Sequence, residues 1–272
     1  MTYRKILVTG SNGFVGRYMV RELVSRGFHV VCFLKDGTSD ELLRGLDVEL
    51  RWGDLRDKDS LTRAVAGTQV VIHLAAAVSV PDSRVNFEVN VTGVRHLMEA
   101  CKKNGAERII AYSSVSAKRH RAGAYALSKK QSESILFDSQ ACVTVFRPEI
   151  VFGNGSGGLR KIIKQIESYP FLIPMVGRGA ILRQPVYVRD VVKLTVDIID
   201  CPASFHKAYD IGGRSKIAFR EFVLMVAEEL GITKKILPIP QWMAMGVARS
   251  LERISRNPPF TSDNVLGLID PT

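Results

Sequence analysis

Three glycines spaced three apart, Gly10, Gly13 and Gly16, follow the short apolar run Ile6-Leu7-Val8 and open a helical pattern that continues through Leu23. No other feature constrains the chain as much. Glycine at position 10 takes the tight turn out of a strand, at position 13 it lets a phosphate touch backbone, and at position 16 it lets the helix press against the sheet. The helix N-terminus then directs unpaired N–H groups at the anion. A glycine triplet alone is weak, but here a strand precedes it, a helix follows, and another strand begins near Phe28. That is the context a dinucleotide-binding turn requires. Gly10, Ser11, Asn12, Gly13, Phe14, Val15 and Gly16 are therefore the expected contacts of a dinucleotide.

Apolar runs and helical patterns alternate through the first half. Strands are expected over residues 5–9, 29–34, 48–51, 70–73, 108–112 and 143–146, with helices beginning near Phe14, Asp40, Asp59, Ser83 and Gly123. Buried runs without polar alternation, separated by helices, imply a parallel sheet covered on both faces. Right-handed crossovers then give an α/β, Rossmann-type doubly wound sheet with its ligand crevice at the strand C-termini. After Pro148, glycines and prolines crowd 153–158 and 170–179 and the elements shorten. Helices are expected over 159–168, 191–199, 219–230 and 241–254, with brief strands over 208–211 and 235–237. The division is a Rossmann domain over 1–150 and a small substrate lobe over 151–272, with later strands rejoining the main sheet. In 241–254, Trp242, Met243, Met245, Val247, Leu251 and Ile254 form an apolar face, whose default role is packing and whose alternative is a partner or a membrane surface.

The 272 residues carry a net charge of +11, compatible with nucleic acid, an anionic membrane or anionic small ligands. The basic residues are spread along the chain except for Lys118-Arg119-His120-Arg121, and no nucleic-acid motif accompanies them. A phosphorylated cofactor and an acidic small-molecule substrate suffice; nucleic acid is not expected. No apolar run approaches the ~20 residues that span a bilayer, and Met1 leads straight into a strand, so a cytoplasmic protein without a signal peptide is expected. Cys32, Cys101, Cys142 and Cys201 lie far apart and read as reduced thiols. His73 reads as a strand-end packing residue, and no metal site is expected.

The second constellation is Tyr125-Ala126-Leu127-Ser128-Lys129. Residues four apart share a helix face, so phenol and ammonium point the same way. A phenol of pKa ~10 is a poor base at neutral pH, and the charge of Lys129 beside a nicotinamide ring would favour the tyrosinate. Tyr125 then exchanges a proton with a substrate oxygen while hydride moves to or from the cofactor.

These motifs resemble the extended short-chain dehydrogenase/reductases, the NAD-dependent epimerase/dehydratase family that includes nucleotide-sugar epimerases and dehydratases. The resemblance covers almost the whole chain. Thr9-Gly10-x-x-Gly13-x-x-Gly16 is similar to their cofactor turn, and Gly53-Asp54-Leu55 to the segment whose aspartate contacts adenine. His73-Leu74-Ala75-Ala76 resembles the segment lying along the cofactor, and Asn90-Val91-x-Gly93 the helical motif supporting the active site. Tyr125 and Lys129 match the catalytic pair, and Arg147-Pro148-Glu149-Ile150-Val151 the turn beside the nicotinamide. Pro185 to Val191 and Asp210-Ile211-Gly212-Gly213 match later landmarks. The stretch from Phe171 to Val191 is also similar to the atypical branch related to the NAD(P)H-binding accessory subunit of respiratory complex I.

The resemblance implies a Ser or Thr after the fifth strand that holds the substrate oxygen; Ser114 fits best and Ser113 is the alternative. It makes Arg183 the candidate for a substrate diphosphate, although Arg189 replaces the first aspartate of the motif that follows. Residues 115–121 depart from the usual pattern, being short and basic. Leu34 stands where an NAD-selecting acid usually falls and Lys35 follows it, which favours NADP, with NAD as the alternative if Asp36 reaches the ribose. The implied cofactor set is thus the glycine turn with Lys35, Asp54, Leu55, Leu74, Ala75, Ala76, Asn90, Tyr125, Lys129, Pro148, Ile150 and Val151. The expected activity is NAD(P)-dependent oxidation or reduction of a carbinol/carbonyl, or epimerisation or dehydration of a nucleotide sugar, and a homodimer is compatible with it. The rival expectation is a non-catalytic nucleotide-binding subunit or assembly protein.

Overall fold

The computed structural model describes residues 4–78, 82–119, 123–255 and 260–269. The first half runs β1 Lys5–Thr9, α1 Phe14–Ser25, β2 His29–Lys35, β3 Val48–Gly53, α2 Lys58–Val65, β4 Val70–His73, α3 Ser83–Phe87, α4 Gly93–Asn104, β5 Arg108–Tyr112, α5 Ala124–Phe137 and β6 Cys142–Pro148. The second half runs β7 Val151–Phe152, α6 Gly157–Ser168, β8 Leu172–Val176, β9 Leu182–Arg183, β10 Val186–Tyr187, α7 Val188–Asp197, β11 Lys207–Ile211, β12 Ile217–Ala218, α8 Phe219–Glu229, β13 Lys235–Ile239, α9 Gln241–Ile254 and α10 Ser262–Ile269.

Seven of the described strands form one sheet in the order β11-β6-β5-β4-β1-β2-β3, and all its pairings are parallel. Strand side chains alternate between faces. Ile6 and Val8 therefore enter one hydrophobic cluster, with Met19, Leu23 and Val191 from the helices above. Leu7 enters the other, with Leu61, Leu97 and Leu136 below. Burial on both faces explains the near-continuous Val/Ile runs, and each fully buried Leu or Ile contributes roughly 1.5–3 kcal/mol. The chain starts at β1, builds outward to β3, then returns to β4 on the other side of β1. That reversal opens the crevice at the C-terminal ends of β1 and β4.

β11 does rejoin the main sheet, beside β6. Beneath their N-terminal ends the buried Arg108 donates to the carbonyls of Ile198, Ile199 and Cys142 and to Thr144 Oγ1. This ties the return from α7 to the sheet. In the second half β8 and β13 pair in parallel and support α6 and α8 around Ile166, Ile173 and Val223.

Three expectations need correction. The helix expected near Asp40 is a single 3₁₀ turn over Glu41–Leu43; only Leu43 is buried there, so no apolar face exists to hold a longer helix. The proline- and glycine-rich stretch over 170–179 contains β8, because Pro174 is accommodated in a two-stranded edge. Along α9 only Ala244 and Ala248 are fully packed, while Trp242 is 75% and Ile254 84% exposed. Packing is thus carried by the small residues of that helix rather than by its large ones.

Candidate active site

At the start of the crevice, Gly10 has φ 68° and its Cβ, if it had one, would lie 2.8 Å from the Ala75 nitrogen. A Cβ on Gly16 would lie 2.0 Å from the Gly10 carbonyl oxygen and 2.8 Å from Ser11 Cα. Both glycines are therefore demanded by backbone contacts. Gly13 is exposed, and a Cβ there would meet only the Gly10 oxygen, at 3.1 Å. As N-cap of α1, Gly13 supplies no side-chain cap, and no acidic residue lies in the first turn. By contrast Asp57 caps α2 and Ser156 caps α6. The α1 N-terminus is thus left open to an anion, which fits a dinucleotide diphosphate.

The neighbouring residues divide clearly. Phe14 and Val15 are partly buried, packed against the cluster of the α1 face. Ser11, expected among the cofactor contacts, is fully buried and its hydroxyl donates to the Phe33 carbonyl at 3.4 Å, so its side chain is committed to the interior. Asn12 reaches across to Thr38 Oγ1 at 3.0 Å and the Ser39 carbonyl at 3.1 Å, bracing the loop after β2. Arg17 and Tyr18 both donate to the Asn154 carbonyl, fastening the loop after β7 across α1. At the end of β2, Leu34 is buried and Lys35 is exposed. Lys35 faces Asp54 closely enough for its charge to depress that carboxyl. Asp36 is held by its backbone N–H on the Gly53 carbonyl. The Asp54 carboxylate is committed to Arg56, accepting from its backbone N–H at 2.9 Å and from its guanidinium at 2.8 and 3.0 Å. That pairing holds its pKa down at about 2. Leu55 is buried against Gly93.

The strand-end segment after β4 is positioned by Thr9, whose hydroxyl accepts from the backbone of Leu74 and Ala75 at 3.2 Å each. Ala76 follows in the same segment. Asn90 then ties this segment to α5. Its side chain accepts from Ala77 N at 2.8 Å, donates to Ala77 O at 3.0 Å, and donates to Ser128 Oγ on α5 at 3.0 Å. Asn90 sits in a π-helical turn over Glu88–Thr92, a local widening that recurs at functional sites.

On α5, Tyr125, Lys129 and Glu133 share one face at successive four-residue steps. Lys129 is buried and its Nζ donates to the Tyr112 carbonyl at 2.8 Å. Burial lowers its pKa to about 8, with Glu133 opposing the shift; Glu133 is itself in a two-pronged pair with Arg147. His73 is buried, hydrogen-bonded to Thr9 Oγ1 at 2.8 Å, and held neutral by burial and by the nearby Lys129 charge, its pKa lowered to about 3. It is packed at a strand end, as expected.

Of the two serines, Ser114 is the one beside the tyrosine: its hydroxyl lies near enough to the Tyr125 phenol to oppose the rise in its pKa, and it accepts from Ser116 N at 3.1 Å. The Ser113 hydroxyl is turned into the interior and meets no partner among the described residues. The phenol itself departs from expectation. Burial raises its pKa, and the groups opposing that rise are Ser114 and Arg119. Burial thus favours the neutral phenol at Tyr125.

Beyond α5, Pro148 ends β6, and Ile150 and Val151 continue into β7, which pairs with β10. Arg183 is 5% exposed and forms an ion pair with Glu149 at 3.3 Å, while the other Glu149 oxygen accepts from Gln184 N at 2.6 Å. Arg183 therefore lies against the turn after β6. Arg119 and Glu149 stand in stretches readable from the sequence, but no local pattern gave either a role. His120 and Arg121 lie outside the described residues. Among the described residues no three His, Cys, Asp or Glu side chains form a metal cluster, and no helix is long and apolar enough to cross a membrane.

A mitochondrial NADH dehydrogenase [ubiquinone] 1 alpha subcomplex subunit 9 of Dictyostelium discoideum is 27% identical over 95% of this chain and 73% of its own length. The N-acetyl-alpha-D-glucosaminyl-diphospho-ditrans,octacis-undecaprenol 4-epimerase of Escherichia coli O157:H7 is 27% identical over 89% of this chain and 77% of its own. Among solved structures, the UDP-glucose 4-epimerase of Thermus thermophilus, in complex with NAD, superposes with a TM-score of 0.71 at 27% identity, covering 87% of this chain and 86% of that one. The model of the NAD dependent epimerase/dehydratase family matches residues 6–212, and the chain belongs to that family.

Proposed function

We propose that the protein is an NAD(P)-dependent enzyme acting on a carbinol or carbonyl of a small anionic substrate, either as an oxidoreductase or in epimerisation or dehydration of a nucleotide sugar. The observation that carries this reading is the buried Lys129, fixed on the Tyr112 carbonyl at 2.8 Å, on the helix face it shares with Tyr125 and Glu133. A bound nicotinamide would supply the hydride donor or acceptor. Tyr125 passes a proton between its phenol oxygen and the substrate oxygen, and Ser114 orients that oxygen by hydrogen bonding. Lys129, buried and fixed on the Tyr112 carbonyl, keeps positive charge behind the site and would hold the nicotinamide ribose. Asn90 keeps the strand-end segment and α5 at a constant separation. Burial of the phenol raises its pKa, with Ser114 and Arg119 opposing the rise; an oxidised nicotinamide, when bound, would add positive charge that favours proton loss. Lys35, exposed beside Asp54, favours NADP over NAD.

A second reading has a specific observation behind it, the 27% identity to a respiratory complex I subunit: here the fold holds a nucleotide without turnover. Tyr125→Phe separates the two. Under the enzymatic reading, dinucleotide affinity stays within about twofold while turnover falls by roughly 10²–10⁴. If a screen of nucleotide sugars and hydroxy compounds gives turnover that Tyr125→Phe leaves intact, the catalytic reading is wrong.

A further inference from the structure

Two cysteines converge on one guanidinium at the end of the sheet away from the crevice. Arg108 opens β5 and Cys142 opens β6, and the two are registered partners in the parallel sheet. Alternation along β6 puts Cys142 on the face of Thr144 and Phe146. Arg108 Nη1 lies against that face, donating to Thr144 Oγ1 at 2.9 Å and to the Cys142 carbonyl at 2.7 Å. Cys201 reaches the same group from the return after α7. Its backbone N–H donates at 3.1 Å to the Ile198 carbonyl, which also accepts from Arg108 Nη2. Its own carbonyl accepts from Ser204 Oγ at 2.7 Å, and that hydroxyl accepts from Arg108 Nη2 at 3.1 Å. Each cysteine is thus one or two hydrogen bonds from the guanidinium, although all of β7 to α7 lies between them in the chain.

Among the described residues no carboxylate pairs with Arg108. Its partners are carbonyls, hydroxyls and the Phe205 ring, whose centroid lies 4.6 Å from the guanidinium carbon. Burial lowers its pKa to about 10, with Cys142 and Cys201 opposing the shift, so the positive charge persists at neutral pH. Cysteines that react with oxidants sit partly exposed in electropositive surroundings, and desolvated ones are inert. The four cysteines divide along this line. Cys32 and Cys101 are buried, and burial pushes both thiols up to about 12. Cys142 and Cys201 are partly exposed and have the cation beside them. The length of β5 separates Arg108 from Tyr112, whose carbonyl holds Lys129, so neither cofactor nor substrate accounts for the pair.

We propose that Cys142 and Cys201 form a peroxide-sensitive dithiol that closes to a disulfide between the start of β6 and the return after α7. One sulfur, as thiolate, attacks an oxygen of hydrogen peroxide; the O–O bond breaks, hydroxide leaves and a sulfenic acid remains. The second thiolate attacks that sulfur, the S–O bond breaks, and the oxygen departs as hydroxide. The two thiol protons convert both hydroxides to water, and the two electrons lost by the sulfurs are those gained by peroxide. The bridge encloses β7 to α7 in one covalent loop, which removes freedom from the unfolded chain.

The test is peptide mapping by mass spectrometry of the folded wild-type protein after hydrogen peroxide at neutral pH, with thiols alkylated before and after reduction. The expected product is a Cys142–Cys201 disulfide that dithiothreitol reverses, with Cys32 and Cys101 left as thiols. On the reduced protein, iodoacetamide should label Cys142 and Cys201 at least roughly tenfold faster than Cys32 and Cys101. Of Cys142→Ser and Cys201→Ser, the variant that keeps the attacking sulfur should stop at a sulfenic acid captured by dimedone, and neither should form a disulfide. The oxidised wild type should melt above the reduced one. Peroxide that leaves both thiols free, carries either to a sulfinic acid without the bridge, or links cysteines of different molecules overturns the pairing. An oxidised protein that melts below the reduced one overturns the bridge as a feature the native fold accommodates.

Discussion

Gly13 and Gly16 stand three residues apart in one motif, yet the structure assigns them opposite sensitivities. A methyl at position 16 would meet the Gly10 carbonyl oxygen at 2.0 Å and Ser11 backbone at 2.8 Å. Neither is a flexible side chain, so the helix must move off the turn. Overpacking of this kind costs about 3 kcal/mol at its upper ordinary range. Replacing a helical glycine by alanine returns about 1 kcal/mol of propensity. The net loss is about 2 kcal/mol, or a fall in Tm of about 4–8 °C for a chain of this size. At position 13 the same methyl meets one oxygen at 3.1 Å, φ is −72°, and no left-handed strain arises. Only the weaker N-cap preference is lost, about 0.5–1 kcal/mol and so about 1–4 °C. That methyl does, however, occupy the exposed face where a diphosphate must approach backbone. Gly13→Ala is therefore expected to lose at least tenfold in NADH affinity while melting close to wild type, and Gly13→Val to lose binding altogether. Gly16→Ala is expected to show the larger thermal defect. Melting followed by circular dichroism, with NADH fluorescence titration of the same samples, reads both quantities. The reverse pattern would falsify the assigned geometry of the turn: a Gly16→Ala variant with wild-type melting, or a Gly13→Ala variant with wild-type affinity.

Two further outcomes are expected. Lys35→Ala should weaken NADPH binding about tenfold or more while sparing NADH, because a charge-assisted contact to the 2′-phosphate is worth roughly 1.5–3 kcal/mol; equal losses for both cofactors would reverse the preference for NADP. His73 has its folded pKa lowered to about 3 from 6.5, so its burial contributes stability that is present above pH 6.5 and is lost as pH falls. Between pH 6.5 and 5, before most carboxylates titrate, the loss should be about 2 kcal/mol. Urea denaturation of His73→Gln should show a flatter pH dependence over that interval, and an unchanged slope would mean that another group carries it.

The elements legible from sequence are those whose cause is local. The glycine spacing, the apolar runs of β1, β2, β4 and β5, and the four-residue step from Tyr125 to Lys129 each reflect a constraint acting within a few residues of chain. The doubly wound parallel sheet followed from them because parallel strands joined by helices leave few topologies. The 3₁₀ turn over Glu41–Leu43 and the strand β8 were not legible. Whether those stretches are helix, strand or turn depends on what packs against them rather than on their own periodicity.

What tertiary structure alone decided is which polar groups meet. Ser113 and Ser114 are equivalent as letters, and only the entry of α5 over the end of β5 turns one toward Tyr125 and the other into the interior. Likewise the rise in the phenol's pKa comes from burial, opposed by Ser114 and Arg119, none of which helical spacing alone gives. The meeting of Arg119 and Arg183 on Gly267 joins residues 148 and 84 positions apart, far beyond any local pattern. A sequence states which groups a chain carries and how neighbouring ones are phased. The distances and dielectric that turn those groups into a site exist only once the return from β6 through α7 to α10 has closed over the crevice.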